Sequence, residues 1–165
     1  QVWCVPGILY SFRNDVRRIL KSKGFRPRVS TASLHIARLR RAGVAGNKNM
    51  FLLAYARNRY VEMIRKSTFS FACGSAMGMA LRKYFEIPAN SSILVCEKIP
   101  SLEWLGFQNG ENCLTVSRSS AEQDIDNIMT MPCKALTSIC KRGWNHVLEN
   151  HSVWSRAATI KEYVF

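Results

Sequence analysis

The first part of this sequence has few acidic residues, and the whole sequence lacks long apolar runs. Residues 1–66 contain 15 Lys and Arg against two Asp and Glu, whereas residues 67–165 contain nine of each, so the net charge of +13 lies in the first part. The apolar runs, such as 51–54 and 93–96, are far shorter than the roughly 20 residues of a membrane-spanning helix. The basic part predicts an anionic partner: nucleic acid, an anionic membrane surface, or a ligand with phosphates or acidic groups.

Metal-binding and disulfide patterns are also missing. The six cysteines include no C-x-x-C pair and have no His at ligand spacing, so neither a zinc site nor a disulfide framework is predicted. Cys4, Cys73, Cys96 and Cys113 lie in or beside apolar runs, where free thiols are expected to be buried, as in a reducing, cytoplasmic setting. Motifs of P-loop, hydrolase, kinase and metalloprotease sites are absent. This disfavours metal-dependent hydrolysis and leaves transfer chemistry on a bound nucleotide open.

The size and composition fit one globular domain. The chain has 165 residues, of which 47% are hydrophobic and 21% charged, enough for a packed core. Short apolar segments are expected to form strands: 2–5, 25–32, 68–73, 92–96 and 113–116. Amphipathic or capped segments are expected to form helices: 14–23, about 60–64, 79–86, 101–105, 122–129 after a capping box at Ser119 and Glu122, 133–149, and a last helix capped by Ser152. The basic stretch 38–48 is expected to be a loop.

The alternation of strands and helices predicts the fold class. Such a chain pairs its strands in parallel through right-handed crossovers, which gives a three-layer α/β domain, here with a helical C-terminal tail. Ligands bind beyond the carboxyl ends of parallel strands. The loops expected to carry a site are therefore 7–13, 74–78 and 97–101.

The segment 73–78 is one candidate for an anion site. It follows an expected strand, is expected to open a helix, and contains Gly74, Ser75 and Gly78. Two glycines would let backbone N–H groups approach a phosphate closely. A tight turn between a strand and a helix accounts for the same residues without any ligand.

The next candidate group is Arg82, Lys83 and Glu86. Arg82 and Glu86 are four residues apart and would share a helix face. One interpretation is a surface ion pair that contributes less than about 1 kcal/mol. The other is that Glu86, at the end of its helix, accepts hydrogen bonds from sugar hydroxyls while Arg82 or Lys83 binds a phosphate.

Two stretches carry a resemblance to a known family: 82–97, RKYFEIPANSSILVCE, and 106–112, GFQNGEN. They resemble the C-terminal domain of GT-B-fold glycosyltransferases, especially the branch similar to spore-maturation glycosyltransferases. That branch typically has an Arg before a Phe-Glu pair, a small-residue turn, an apolar strand, and a Gly-Phe with a Gly-Glu-Asn-like loop. Residues 60–71, Gly7 with Arg13, and 151–156 are similar to other parts of the family pattern, so the likeness spans nearly the whole chain.

The resemblance implies that residues 1–165 are the C-terminal, nucleotide-sugar-binding domain of a glycosyltransferase, a Rossmann-like half of a GT-B fold. The acceptor domain would precede Gln1 and be absent from this chain, which alone would be inactive. Glu86 would be the catalytic-site carboxylate that holds hydroxyls of the donor. The implied donor-binding residues are these: Gly7, Arg13, Gly74, Ser75, Gly78, Arg82, Lys83 and Glu86. No cofactor or metal is implied, and the acceptor is an unknown sugar, protein or small molecule.

Two alternatives stay open. One is a nucleic-acid or polyanion-binding module, because Phe51, Tyr55 and Tyr60 are interleaved with the basic residues of 13–66. The lack of any recognisable binding motif of that kind disfavours nucleic acid as the partner. The other is a glycosyltransferase-like domain without catalytic activity.

Overall fold

The computed structural model describes residues 1–7, 10–29 and 48–164, of which 48–56 and 164 are described by their backbone alone. The strands are β1 (Trp3–Cys4), β2 (Phe69–Ala72), β3 (Ile93–Glu97) and β4 (Leu114–Val116). The helices are α1 (Ser11–Ser22), α2 (Lys48–Arg65), α3 (Lys83–Ala89), α4 (Ala121–Met129), α5 (Cys133–His151) and α6 (Val153–Val164). A short 3₁₀ helix (Pro100–Leu102) follows β3. None of the helices in the described ranges is long and apolar enough to cross a membrane.

The four strands form one sheet in the order β1-β2-β3-β4, and every neighbouring pair is parallel. Cys4 lies opposite Ser70, Ser70 opposite Leu94, and Val95 opposite Leu114. Nearly every strand residue is buried, as expected for a parallel sheet that is covered on both faces. The predicted α/β class with a parallel sheet is therefore confirmed.

Alternate strand residues supply two separate cores. Trp3, Phe71 and Val95 belong to one core, in which α1 and α4 cover the sheet. Cys4, Ala72 and Cys96 belong to the other, in which Ile64 of α2, two residues of α3 and Val147 of α5 take part. The thiols at positions 4, 73, 96 and 113 are free and buried, as predicted. Helices on both faces make the domain three-layered, with the carboxyl ends of all four strands at one edge.

Helix α1 begins earlier than Asn14 or Asp15, the residues predicted to cap it. Its first residue is Ser11 and its N-cap is Tyr10. The reason is packing, since Phe12 is buried in an edge-to-face contact with Phe71 at 5.5 Å between ring centroids. The helix ends at Ser22, and the predicted stop, Gly24, follows the C-cap with a φ of +82°, a conformation that favours glycine.

The predicted strand 25–32 is absent from residues 25–29. Arg28 forms only an isolated bridge with Cys4, because Pro27 has no N–H with which to continue a ladder. Residues 30–32 lie outside the described residues, and so does the predicted loop 38–48 except for Lys48. Lys48 itself begins α2, which has 18 residues and is much longer than the short helix predicted around 60–64.

The helix after β2 begins at Lys83, so the predicted start near Met79 is wrong. The Ser75 hydroxyl accepts hydrogen bonds from the N–H groups of Met77 (3.2 Å) and Met79 (3.1 Å), which closes the segment into a turn. Glu86 therefore lies in the first turn of α3 instead of at its end. Pro88, the predicted stop, lies inside the last turn.

The start of α4 also differs from the sequence prediction. The Ser119–Glu122 capping box does not form. Instead Asp124 accepts hydrogen bonds from the Ser117 N–H (2.8 Å) and the Ser120 hydroxyl (2.9 Å), and the helix begins at Ala121.

The helical C-terminal tail is confirmed and is fastened by two histidines. The Nε2 atoms of His146 and His151 each lie 2.9 Å from the carbonyl oxygen of Leu105. Arg156 on α6 donates from Nη2 to Nδ1 of His151 at 2.6 Å, which leaves Nε2 of a neutral His151 as the donor to Leu105. The predicted cap of α6 is present, since the Ser152 hydroxyl accepts from the Ser155 N–H at 3.1 Å.

Candidate anion site at the carboxyl edge of the sheet

The loops that follow the four strands converge at one edge of the sheet. Gly7 follows β1, Gly74 follows β2, Glu97 ends β3, and Arg118 follows β4. This is the edge at which parallel sheets bind ligands. All three loops singled out from the sequence contribute contacts to it, through Gly7, Gly74 and Glu97.

Gly7 brings two cations together. A Cβ atom on Gly7 would lie 2.7 Å from Nη1 of Arg13 and 3.1 Å from Nζ of Lys83, so both cationic groups approach the same point. The φ of Gly7 is +84°, which also favours glycine. Gly7, Arg13 and Lys83, which we call the cation cluster, are three of the residues expected to bind a donor.

The guanidinium of Arg13 is deeply buried and incompletely bonded. The residue is 3% exposed, and its Nε has no hydrogen-bond partner among the described residues. The guanidinium carbon lies 4.8 Å from the centroid of the Tyr10 ring, a cation–π contact. Leaving a charged donor buried and unpaired is unfavourable by a few kcal/mol, on the order of a lost charge-assisted hydrogen bond.

Lys83 extends the same cluster from α3. Its ammonium donates to the carbonyl oxygen of Pro6 at 2.8 Å and lies 5.6 Å from the centroid of the Tyr60 ring. Burial, followed by the nearby charge of Arg13, lowers the pKa of Lys83 to about 8. Both causes act against the charged form. A bound anion would reverse the second of them.

The cluster forms no ion pair with a carboxylate among the described side chains, neither through Arg13 nor through Lys83. The sequence from 30 to 56 contains no Asp or Glu at all. A third buried cation, Arg17, lies one turn further along α1, where its Nη2 donates to the carbonyl oxygen of Val5 at 3.1 Å. Burial and then Arg13 lower the pKa of Arg17.

Glu97 ties the neighbouring loops to one another. Its Oε2 accepts a hydrogen bond from the Gly74 N–H at 2.9 Å, and its Oε1 is 2.6 Å from Nε of Arg118. The Arg118 guanidinium carbon lies 4.9 Å from the centroid of the Phe12 ring, next to Arg13 in the sequence. Both carboxylate oxygens of Glu97 therefore have partners within the protein, and the hydrogen bond to Gly74 fixes the loop that follows β2.

Gly74 is required for close packing in that loop. A Cβ atom there would come within 2.9 Å of Cγ2 of Ile99 and within 3.6 Å of the Glu97 carboxylate. The Ser75 hydroxyl is hydrogen-bonded within the turn described above. Gly78 has a φ of +68° but nothing within 4 Å of its Cβ position. The structure therefore supports the tight-turn interpretation for Ser75 and Gly78, and no described contact brings them to the cation cluster.

Arg82 and Glu86 form the ion pair that their spacing predicts. Nε of Arg82 is 2.7 Å from Oε1 of Glu86, and the Arg82 side chain is 85% exposed. The other oxygen of Glu86 accepts a hydrogen bond from the Tyr60 hydroxyl at 3.3 Å. Because Tyr60 also contacts Lys83, Glu86 borders the cation cluster, whereas Arg82 points away from the buried cations into solvent.

Two residues of this edge, Arg118 and Tyr60, were not predicted from the sequence, and Glu97 was predicted only as part of the loop 97–101, without a role of its own. The signal for Glu97 was an acidic residue directly after a fully apolar strand, where a carboxylate reaches the ligand-binding edge. Nothing in the local pattern marks Arg118 or Tyr60, since their partners are distant in the sequence. Within the described part of the chain, no group of three or more His, Cys, Asp or Glu could hold a metal ion.

No protein-family model, no curated protein and no solved structure matches this chain.

Proposed function

We propose that the cation cluster binds the diphosphate of a nucleotide-sugar, and that the chain is the donor-binding domain of a glycosyltransferase of the GT-B type. The observation that carries the proposal is that the buried Arg13 and the half-buried Lys83 meet at Gly7, with no ion pair to a carboxylate among the described side chains. The family resemblance of 82–97 and 106–112 adds the sugar donor and the transfer reaction to that anion site. The acceptor domain would belong to another part of a longer chain.

The charge of the site suits a phosphate group. A guanidinium offers several N–H donors in a fixed plane, and an ammonium adds a compact point charge, a combination that phosphate oxygens accept well. The Nε–H of Arg13 has no hydrogen-bond partner among the described residues. Lys83 uses one of its three N–H donors in its described hydrogen bond to the Pro6 carbonyl oxygen. A diphosphate bound beside Gly7 would be bonded by both.

The same contacts would assist the chemistry. When a sugar is transferred, the nucleoside diphosphate leaves with an additional negative charge, and positive groups held at that position stabilise the transition state. Arg13 and Lys83 would supply this charge without a metal. Glu86, oriented by Arg82 and Tyr60, would accept hydrogen bonds from hydroxyls of the donor. A cytoplasmic location, where nucleotide-sugars and free thiols coexist, is part of the proposal.

Calorimetric titration tests the proposal directly. UDP, GDP and ADP are titrated into the folded chain without metal, and at least one is expected to bind with a dissociation constant of about 1 mM or lower. Arg13→Met should weaken that binding by about tenfold or more, the equivalent of one charge-assisted hydrogen bond. The matched control is Arg18→Met on the same helix, whose side chain is 78% exposed and pairs with Asp15. It should bind as the wild type does.

Two outcomes would reject the proposal. If none of the three nucleotides binds to a folded sample, the buried cations are not a nucleotide site. If binding weakens equally in Arg13→Met and Arg18→Met and falls steeply with salt, the chain is a general polyanion binder instead, because contacts to a phosphate backbone weaken strongly as salt rises.

A further inference from the structure

Lys83 differs from an ordinary surface lysine in its surroundings. Its amine is partly buried, has a single described hydrogen bond to the Pro6 carbonyl, and lies beside the buried guanidinium of Arg13. An amine that lies beside an anion-binding group is well placed to accept an acyl group from a donor that carries a phosphate. A molecule with a phosphate at one end and an activated carbonyl at the other would place that carbonyl near the amine.

We infer that Lys83 is a selective acylation site for acyl phosphates, and that its acylation closes the anion site. The inference rests on the proposed function, because it requires Arg13 to hold the phosphate. The ligand class is a small mixed anhydride of a carboxylic acid and phosphoric acid, with acetyl phosphate as the simplest member. The modification would couple occupancy of this site to the supply of such metabolites.

The reaction balances without any further reactant. The neutral amine of Lys83 attacks the acyl carbon, forming an N–C bond, while the C–O bond to phosphate breaks and orthophosphate leaves with the electron pair. The proton that the nitrogen loses passes to the departing phosphate or to water. The product is a neutral amide that has lost the positive charge of Lys83 and fills the space beside Gly7.

The groups around Lys83 favour the neutral amine. Arg13 faces it from α1, and the Tyr60 ring faces it from α2. The thiols of Cys73 and Cys4, together with Glu86, act in the opposite direction, but burial and Arg13 prevail and hold the pKa of Lys83 at about 8. At pH 7.5 about a quarter of Lys83 is then neutral in the unliganded site, compared with roughly one part in a thousand for an ordinary lysine. A bound acyl phosphate offsets Arg13 and lowers this fraction, but burial, the larger cause, remains.

A less basic amine is also a weaker nucleophile, and this offsets part of the gain. A Brønsted slope like the one of about 0.4 to 0.5 known for thiolates would leave a net advantage on the order of tenfold over an exposed lysine. Two exposed lysines of the same chain, Lys98 and Lys134, serve as internal references.

The experiment treats the chain with acetyl phosphate at pH 7.5 and follows each lysine by peptide mass spectrometry. Lys83 should be acetylated about tenfold faster than Lys98 and Lys134. Inorganic pyrophosphate should slow the modification of Lys83 by fivefold or more and leave the two references unchanged. The neutral reagent N-hydroxysuccinimidyl acetate, which carries no phosphate, should not be slowed by pyrophosphate to the same extent.

The pyrophosphate competition uses the wild-type chain, so it does not depend on a variant that folds. Equal rates at Lys83 and the references, or a Lys83 rate that pyrophosphate does not change, would overturn the inference. If calorimetry shows that pyrophosphate binds while Lys83 is not selectively acetylated, the inference fails and the anion site stands. If pyrophosphate does not bind at all, the proposed function fails as well.

Discussion

A methyl group on Gly7 should damage ligand binding far more than stability. The Cβ of Gly7→Ala would lie 2.7 Å from Nη1 of Arg13 and 3.1 Å from Nζ of Lys83. To reach ordinary van der Waals contact, the guanidinium must retreat by about 0.7 Å and the ammonium by about 0.3 Å. Both are the ends of flexible side chains, so the fold can absorb these shifts. After these shifts Arg13 and Lys83 no longer lie where the ligand would contact them.

Gly24→Ala is the matched control for this change. Gly24 has nearly the same positive φ, +82° against +84°, but nothing lies within 4 Å of its Cβ position. An alanine in the left-handed region is unfavourable by roughly 1–2 kcal/mol wherever it occurs. Both variants should therefore lose a similar free energy of unfolding, measured by urea denaturation. Only the methyl group on Gly7 reaches the cation cluster.

The two variants should separate in calorimetric titrations with UDP or pyrophosphate. Gly7→Ala is expected to weaken binding by about tenfold or more, the size of one disturbed charge-assisted hydrogen bond. Gly24→Ala should stay within about twofold of the wild type. Equal affinities in the two variants, at equal stability, would refute the assignment of Gly7 as the point where the ligand meets Arg13 and Lys83.

Four further predictions follow from individual side chains. At pH 8 about half of Lys83 is neutral, and a bound phosphate raises its pKa, so binding should take up a fraction of a proton, at most about half, seen as a dependence of the calorimetric enthalpy on the buffer; no dependence would separate Lys83 from the ligand. Burial, together with the charge of Arg156, lowers the pKa of His151, although the hydrogen bond to the Leu105 carbonyl acts in the opposite direction. The contribution of His151 to stability is therefore full above pH 6.5 and is lost as pH falls through the folded pKa, so in urea denaturation His151→Gln should lose less free energy of unfolding on acidification than the wild type. Glu86→Gln should change stability by about 0.5 kcal/mol or less, yet lower sugar transfer by a full-length enzyme roughly 10- to 200-fold; wild-type turnover would make Glu86 only a partner of Arg82. Glu97→Gln should lower the free energy of unfolding by about 1–2 kcal/mol, because the Gly74 N–H and Arg118 both lose a charged partner; an unchanged denaturation midpoint would contradict that role.

The alternation of apolar and amphipathic segments was enough to predict the class of the fold. Every strand outside 25–32 forms within one or two residues of its predicted range, and the strands pair in parallel. This succeeded because short, uninterrupted apolar segments such as Ile93–Glu97 are typical of strands buried on both faces. The starts of α1 and α3 and the cap of α4 were wrong because side-chain contacts set them: Phe12 packs on Phe71, the Ser75 hydroxyl accepts from the Met77 and Met79 N–H groups, and the Asp124 carboxylate accepts from the Ser117 N–H.

The candidate site was predictable only in part. The loop 7–13 could be proposed because it follows the first expected strand, whereas Gly7 and Arg13 as individual donor-binding residues came from the family resemblance. Lys83 was included with its neighbours, but the sequence could not distinguish the half-buried Lys83 from the exposed Arg82. Which of the two side chains faces the protein depends on where α3 begins, and α3 begins later than the sequence pattern indicates. Glu97 and its partners depend on loops that only the folded sheet brings together.

The most direct test of the central claim is a crystal structure of the chain with UDP bound at pH 8. The account predicts diphosphate oxygens within about 3.2 Å of the Arg13 guanidinium and the Lys83 ammonium, with the Gly7 backbone against the same phosphate. A diphosphate that instead lies on the exposed basic surface, with Nε of Arg13 still unpaired, would contradict it.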